Sequence, residues 1–256
     1  MITFVGAGPG AEDLITVRGQ NKLKEADVVI YAGSLVNPEH LKVCKSSCEI
    51  YDSAKMTLEE VIEVIKNAEK EDKNTVRLHT GDPSIYGAIK EQMEILDKEN
   101  ITYENCPGVS AFCGAAAALQ MEYTLPNISQ SVIITRMAGR TPVPEKESIE
   151  SFAAHNATMV IFLSTGMLEE LSERLIAGGY SKDTSAAIVY KATWPDEEKY
   201  ICTVETLAKT AKEHGITKTA LIIVGDVVGA TVFDRSKLYD PEFTTEFRKA
   251  GVAYSK

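Results

Sequence analysis

The chain has 256 residues, 44% of them hydrophobic and 25% charged, with a formal charge of −10. That is ordinary globular composition, and it excludes disordered, collagenous and fibrous readings. No apolar run reaches the roughly 18 residues of a membrane span, and the acidic balance without a dense basic run argues against a nucleic-acid partner.

The opening, Met1-Ile2-Thr3-Phe4-Val5, has no basic region or cleavage site of a signal peptide and reads as a first strand. The five cysteines are odd in number and irregular in spacing, as expected for reduced thiols in a cytoplasm. Cys44 and Cys48 offer two metal ligands, but no nearby His/Cys pair completes a tetrahedral site, so no metal is expected.

In chain order, strands are predicted at 2–7, 27–32, 75–80, 101–105, 131–137, 158–163, 185–192 and 220–228. Most are near-continuous Val/Ile runs, which suit strands covered on both faces. Between them, residues 57–71 place Leu58, Val61, Ile62, Ile65 and Ala68 at helical spacing behind a Thr57/Glu60 capping box. Further helices are predicted at 167–177, stopped by Gly178-Gly179, and at 204–214, stopped by Gly215. The alternation predicts an α/β fold with largely parallel sheets. A break near Leu125-Pro126-Asn127 divides it into two α/β lobes, 1–127 and 128–256, and the polar, aromatic stretch from about 232 takes no assigned element.

Three glycine loops follow predicted strands: Gly6-Ala7-Gly8-Pro9-Gly10, Thr80-Gly81-Asp82-Pro83-Ser84-Ile85-Tyr86-Gly87, and Cys106-Pro107-Gly108-Val109-Ser110-Ala111. Glycines at carboxyl ends of strands let backbone approach a ligand closely. The first loop is not a dinucleotide fingerprint. Its spacing is G-x-G-P-G, Pro9 removes a donor, and strand two ends Tyr31-Ala32-Gly33-Ser34 without the acidic residue that binds ribose. Asp82 is either part of an ordinary β–α turn or a carboxylate in the ligand crevice of an open sheet. Parallel strands would bring all three loops together. Trp194 is a packed loop aromatic or a residue facing the cleft. His40, His79, His155 and His214 are not paired at ligand spacing, and no side chain is singled out as a catalyst.

Beyond these features, the chain resembles the tetrapyrrole methylases. Gly6-Ala7-Gly8-Pro9-Gly10 with Asp13-Leu14-Ile15-Thr16-Val17-Arg18-Gly19, Thr80-Gly81-Asp82-Pro83 and Pro107-Gly108-Val109-Ser110-Ala111 match that family's blocks in order. Tyr31-Ala32-Gly33-Ser34-Leu35-Val36, Thr135-Arg136-Met137-Ala138-Gly139-Arg140-Thr141-Pro142-Val143-Pro144 and Lys191-Ala192-Thr193-Trp194-Pro195-Asp196-Glu197 resemble the members that methylate precorrin-4 or cobalt-precorrin-4 at carbon 11. The resemblance runs from residue 1 to about 248.

It implies two α/β lobes with the active site in the cleft between them, a homodimer, and S-adenosylmethionine as methyl donor in a folded pose. By the same resemblance, Pro9, Gly81, Asp82, Ile85, Ser110 and Ala111 hold the donor from the first lobe, and Leu163, Ala192 and Ala220 from the second. Where the family often has Met-Gly, this chain has Leu163-Ser164, which points to a backbone or apolar contact there. The acetate and propionate groups of such a substrate call for guanidinium and ammonium partners, for which Arg18, Arg136, Arg140 and Lys191 are the candidates. The competing readings are another methyltransferase of the same fold (a different ring carbon, uroporphyrinogen, diphthamide or ribosomal RNA), an NAD-dependent oxidoreductase, and a non-catalytic tetrapyrrole carrier.

Overall fold

The structure is a computed structural model and describes residues 1–251. The chain divides into two compact units, Met1–Leu119 with Val189–Glu198, and Gln120–Ile188 with Lys199 onward.

In the first unit the elements are β1 (Ile2–Gly6), α1 (Val17–Glu25), β2 (Val28–Tyr31), β3 (Glu49–Asp52), α2 (Leu58–Lys70), β4 (Thr75–His79), α3 (Lys90–Lys98), β5 (Tyr103–Cys106) and α4 (Ala111–Leu119). The strands form one sheet in the order β3-β2-β4-β1-β5, and every neighbouring pair is parallel. Its two faces bury separate clusters: Ile2, Phe4, Ile30 and Ile65 on one, Val5, Val29, Val76 and Leu78 on the other. This two-sided burial is why the strands read as continuous apolar runs rather than alternating ones. α2 begins at the predicted capping box, with Thr57 N–H donating to Glu60 and Glu60 N–H to Thr57 Oγ1.

The register positions the site. Gly6 lies level with His79 on β4, and Val5 level with Cys106 on β5. Parallel strands in that register release their following loops from the same edge of the sheet. β1 and α1 are separated by residues 7–16, which include a short 3-10 turn, Glu12–Leu14. The first glycine loop therefore does not open directly into a helix N-terminus, as a dinucleotide-binding turn does.

The second unit contains β6 (Val132–Arg136), α5 (Ile149–Ala153), β7 (Thr158–Phe162), α6 (Leu168–Gly178), most of β8 (Ser185–Tyr190), β9 (Glu198–Thr203), α7 (Leu207–Glu213) and β10 (Ala220–Val224). Its strand order is β6-β7-β10-β8-β9. β6 and β7 are parallel, but β10 runs antiparallel to β7. The expectation of largely parallel sheets is thus corrected for this half: the sheet is mixed, because β10 inserts between β7 and β8 in reversed direction. Beyond residue 232 the described chain is irregular and exposed apart from a 3-10 turn at Lys237–Tyr239. Among the described residues no helix is long and apolar enough to cross a membrane.

Candidate active site

The three glycine loops meet at the carboxyl edge of the first sheet. Gly8 and Gly81, both with left-handed backbone (φ +85° and +59°), exchange hydrogen bonds: Gly8 N–H donates to Gly81 O at 3.2 Å, and Gly81 N–H to Gly8 O at 2.8 Å. The third loop closes on the other two. A Cβ on Gly108 would lie 2.1 Å from Gly81 O and 2.7 Å from Gly6 Cα. No side chain fits there, so glycine is required by contact.

Asp82 locks this arrangement. One carboxylate oxygen accepts from the backbone N–H of Ser84 at 2.8 Å and from the Ser84 hydroxyl. The other accepts from Gly108 N–H at 2.8 Å, tying the second loop to the third. Burial pushes the carboxyl pKa up, but the Ser84 hydroxyl and the Gly108 and Ser84 amides outweigh it and hold the group below its ordinary range. Asp82 is thus an anion at neutral pH.

The segment 189–198 joins this unit. Trp194 Nε1–H donates to Pro9 O at 3.1 Å, and the indole lies so close over Gly10 that a Cβ there would be 2.1 Å from Cδ1. Thr193, a β-branched residue at φ +70°, is in a costly conformation. Its hydroxyl accepts from Ala11 N–H at 3.0 Å, and its N–H donates to Glu197 at 2.6 Å. Buried Asn37, after β2, donates from Nδ2 to Gly10 O at 2.9 Å. Asn37 and Thr193 escaped sequence reading. An Asn before a proline is visible as a helix cap, but its partner 27 residues away is not.

Pro9, Gly81, Asp82, Ile85, Ser110 and Ala111 all belong to the loop cluster, with Pro9 and Ser110 buried. Ala192, assigned above to the second lobe, is buried within the returning segment of the first unit. Lys191 is in the same segment; it pairs with Asp196 at 2.6 Å and lies 5.3 and 5.4 Å from the ring centroids of Tyr190 and Trp194. Arg18 is exposed on the first turn of α1. In the second unit, Leu163, Arg136 and Arg140 line one cavity of about 480 Å³. Ala220 is buried on β10, its carbonyl accepting from Thr165 Oγ1 at 3.1 Å. Burial lowers the pKa of both His40 and His79, while His155 and His214 are exposed and lie outside the three glycine loops. His79 falls to about 3, through burial first and the neighbouring Arg77 second.

The loop cluster suits a cationic sulfonium donor. Its six candidate positions contribute a single charged side chain, the ionised Asp82, and otherwise backbone and small or apolar groups. Gly81 leaves the backbone of Ser110 and Ala111 uncovered by any Cβ.

Residues 1–208 match the family model of the tetrapyrrole (corrin/porphyrin) methylases. The chain belongs to that family. It is 51% identical over 249 residues to the cobalt-precorrin-4 C(11)-methyltransferase of Methanocaldococcus jannaschii, covering 97% of this chain and 96% of that one. It is 42% identical over 251 residues to the precorrin-4 C(11)-methyltransferase of a Sinorhizobium species, covering 98% and 99%. The X-ray structure of a cobalt-precorrin-4 methyltransferase of cobalamin biosynthesis superposes with TM-score 0.87 at 44% identity, covering 89% of this chain and 95% of that one.

Proposed function

We propose that this chain is an S-adenosylmethionine-dependent methyltransferase that methylates carbon 11 of precorrin-4 or cobalt-precorrin-4 during corrin synthesis. The near full-length identity of 51% to an enzyme named for that reaction carries the reading. The higher identity to that enzyme than to the precorrin-4 relative, 51% against 42%, favours the cobalt complex.

When bound, S-adenosylmethionine would supply an electrophilic methyl group on a sulfonium sulfur for transfer to an electron-rich ring carbon. The chain contributes position. Pro9, Gly81, Asp82, Ile85, Ser110, Ala111 and Ala192 would hold the donor, with the Asp82 carboxylate favouring a positive ligand. Loops held by backbone bonds and glycine contacts resist displacement, and holding two reactants aligned at about 3–3.5 Å lowers a barrier by roughly 7–11 kcal/mol. No acid–base pair is required for this step, and the buried His79 at the edge of the loops is held neutral. Arg140, exposed beside the second-unit cavity, faces the carboxylates of the substrate, and Arg136 borders the same cavity. The acidic average charge helps neither of them, but beyond about 8 Å it is largely screened at physiological salt.

The chain acts in the cytoplasm as a homodimer on this reading, supported by its unpaired cysteines and the family resemblance. The deciding experiment incubates the protein and S-adenosylmethionine with precorrin-4 and, separately, with cobalt-precorrin-4. The expected result is a mass gain of one methyl located at carbon 11. Methylation of another ring carbon, or nicotinamide-nucleotide binding without S-adenosylhomocysteine binding, overturns the reading. Sedimentation checks the dimer.

A further inference from the structure

Arg136, the last residue of β6, and Arg140, in the loop that follows, are four residues apart, yet their surroundings differ. Arg136 ends β6 and turns its guanidinium back on the chain that follows. Nη1 donates to Met137 O at 3.1 Å and Thr141 O at 3.2 Å, and Nη2 to Pro142 O at 2.8 Å. Three of five guanidinium donors are thus spent on backbone carbonyls.

The start of the loop is pinned separately. Met137 N–H donates to Ser164 Oγ at 3.0 Å, and that hydroxyl, wholly buried, donates to Phe162 O at 2.7 Å. Gly139 N–H closes the turn on Thr141 O at 3.2 Å. Arg140 is held at the tip. It is exposed and has no hydrogen-bond or ion-pair partner among the described residues.

The cavity of about 480 Å³ lined by both arginines has an apolar wall of Met137, Leu163 and Met167. Leu163 is 63% exposed and adopts φ +54°, a conformation that costs a non-glycine residue free energy. An apolar wall beside one unpaired guanidinium fits a flat apolar body with an anionic edge.

We infer that the two arginines divide the work: Arg140 pairs with a peripheral carboxylate of the tetrapyrrole, and Arg136 is a positioning residue that builds the loop presenting it. The inference rests on the tetrapyrrole reading above, but not on methyl transfer. Charge is therefore needed at 140, and donation to carbonyls at 136. Glutamine keeps two N–H donors and removes the charge, so it separates the two roles.

The test is fluorescence titration of the full chain with uroporphyrin III, an air-stable tetrapyrrole carrying acetate and propionate groups, across a range of ionic strength. R140Q weakens binding on the order of 10- to 100-fold, the weight of one charge-assisted contact, and flattens its salt dependence. R136Q weakens it by under about 5-fold and keeps the salt slope, because an amide still donates to the loop carbonyls. R136A weakens it about as much as R140Q, and trypsin cleaves after Arg140 faster than in the parent. The division is overturned if R136Q flattens the salt slope as R140Q does, if R140Q binds like the parent, or if the parent shows no saturable binding. A parent that binds the porphyrin but does not methylate precorrin-4 sinks the proposed activity and leaves the division standing. One that methylates with an unchanged KM in R140Q sinks the division alone.

Discussion

Around Gly81 the chain is held by its own backbone; around Arg140 it is held by side chains. In the first unit, three loops interlock through the Gly8–Gly81 pair and the contact of Gly108 with Gly6 and Gly81, with one carboxylate, Asp82, as a clasp. In the second unit, the loop after β6 hangs on the Arg136 guanidinium and the Ser164 hydroxyl, and borders an open cavity. The charges are separated as well: an anion among the glycine loops, cations beside the cavity. A small ligand gripped on several sides needs a framework with no room to move. A larger ligand with many carboxylates needs a projecting contact, and a side-chain-built loop supplies one.

If that contrast is right, glycine substitutions in the first region are the most damaging. Gly108→Ala forces a Cβ against Gly81 O, where the obstacle is backbone. It should cost about 3 kcal/mol or more, at or above the usual range for overpacking, and abolish donor binding. Urea unfolding and calorimetry with S-adenosylhomocysteine check this; a folded variant that binds normally breaks the comparison.

Asp82→Asn comes next. An amide accepts at one oxygen only, so either Ser84 or Gly108 loses its partner, at about 1–3 kcal/mol near neutral pH. Because the folded carboxyl titrates below its ordinary value, its contribution is complete above the unfolded pKa of about 3.9 and is lost as pH falls through the folded value. Parent and variant melting temperatures should therefore differ at pH 7 and approach each other in strong acid. Donor KM should rise more than substrate KM.

Ser164→Ala leaves the buried Met137 N–H unpaired, which costs about 1–2 kcal/mol. Here substrate KM should rise while donor affinity stays within about 2-fold of the parent, the reverse of Asp82→Asn. Equal effects on both ligands would erase the distinction between the two regions. The mildest change is Trp194→Phe, which keeps a ring over Gly10 but removes the bond to Pro9 O. A loss of about 1 kcal/mol in thermal unfolding is expected, with turnover nearly preserved.

Much of this was readable in the chain. Every predicted strand occurs within a few residues of its expected place, most because they carry a Val/Ile run; β5, with the sequence YENC, does not. The two missed strands, β3 and β9, are the outer strands of their sheets and are largely exposed, with sequences EIYD and EKYICT. Partial exposure leaves no continuous apolar run to detect. The stretch from Ala111 to Leu119 showed only as small residues, since a helix of Ala and Gly has little amphipathic period. Arg136 and Arg140 looked equivalent as cations, and nothing in their spacing distinguishes a residue that clasps carbonyls from one that is unpaired.

What the sequence by itself determined is local: the alternation of strand and helix, the capping box at Thr57, and glycines placed after three strands. These depend on neighbours within a turn or a few residues. Tertiary structure alone decided that the three loops touch, that Asp82 spends its oxygens on Ser84 and Gly108, and that Trp194 covers Gly10 across 185 positions from Pro9. The reason is the strand order β3-β2-β4-β1-β5, which makes spatial neighbours of segments far apart in the chain. Hydrophobic periodicity marks which face of a strand is buried, but not which strand lies beside it.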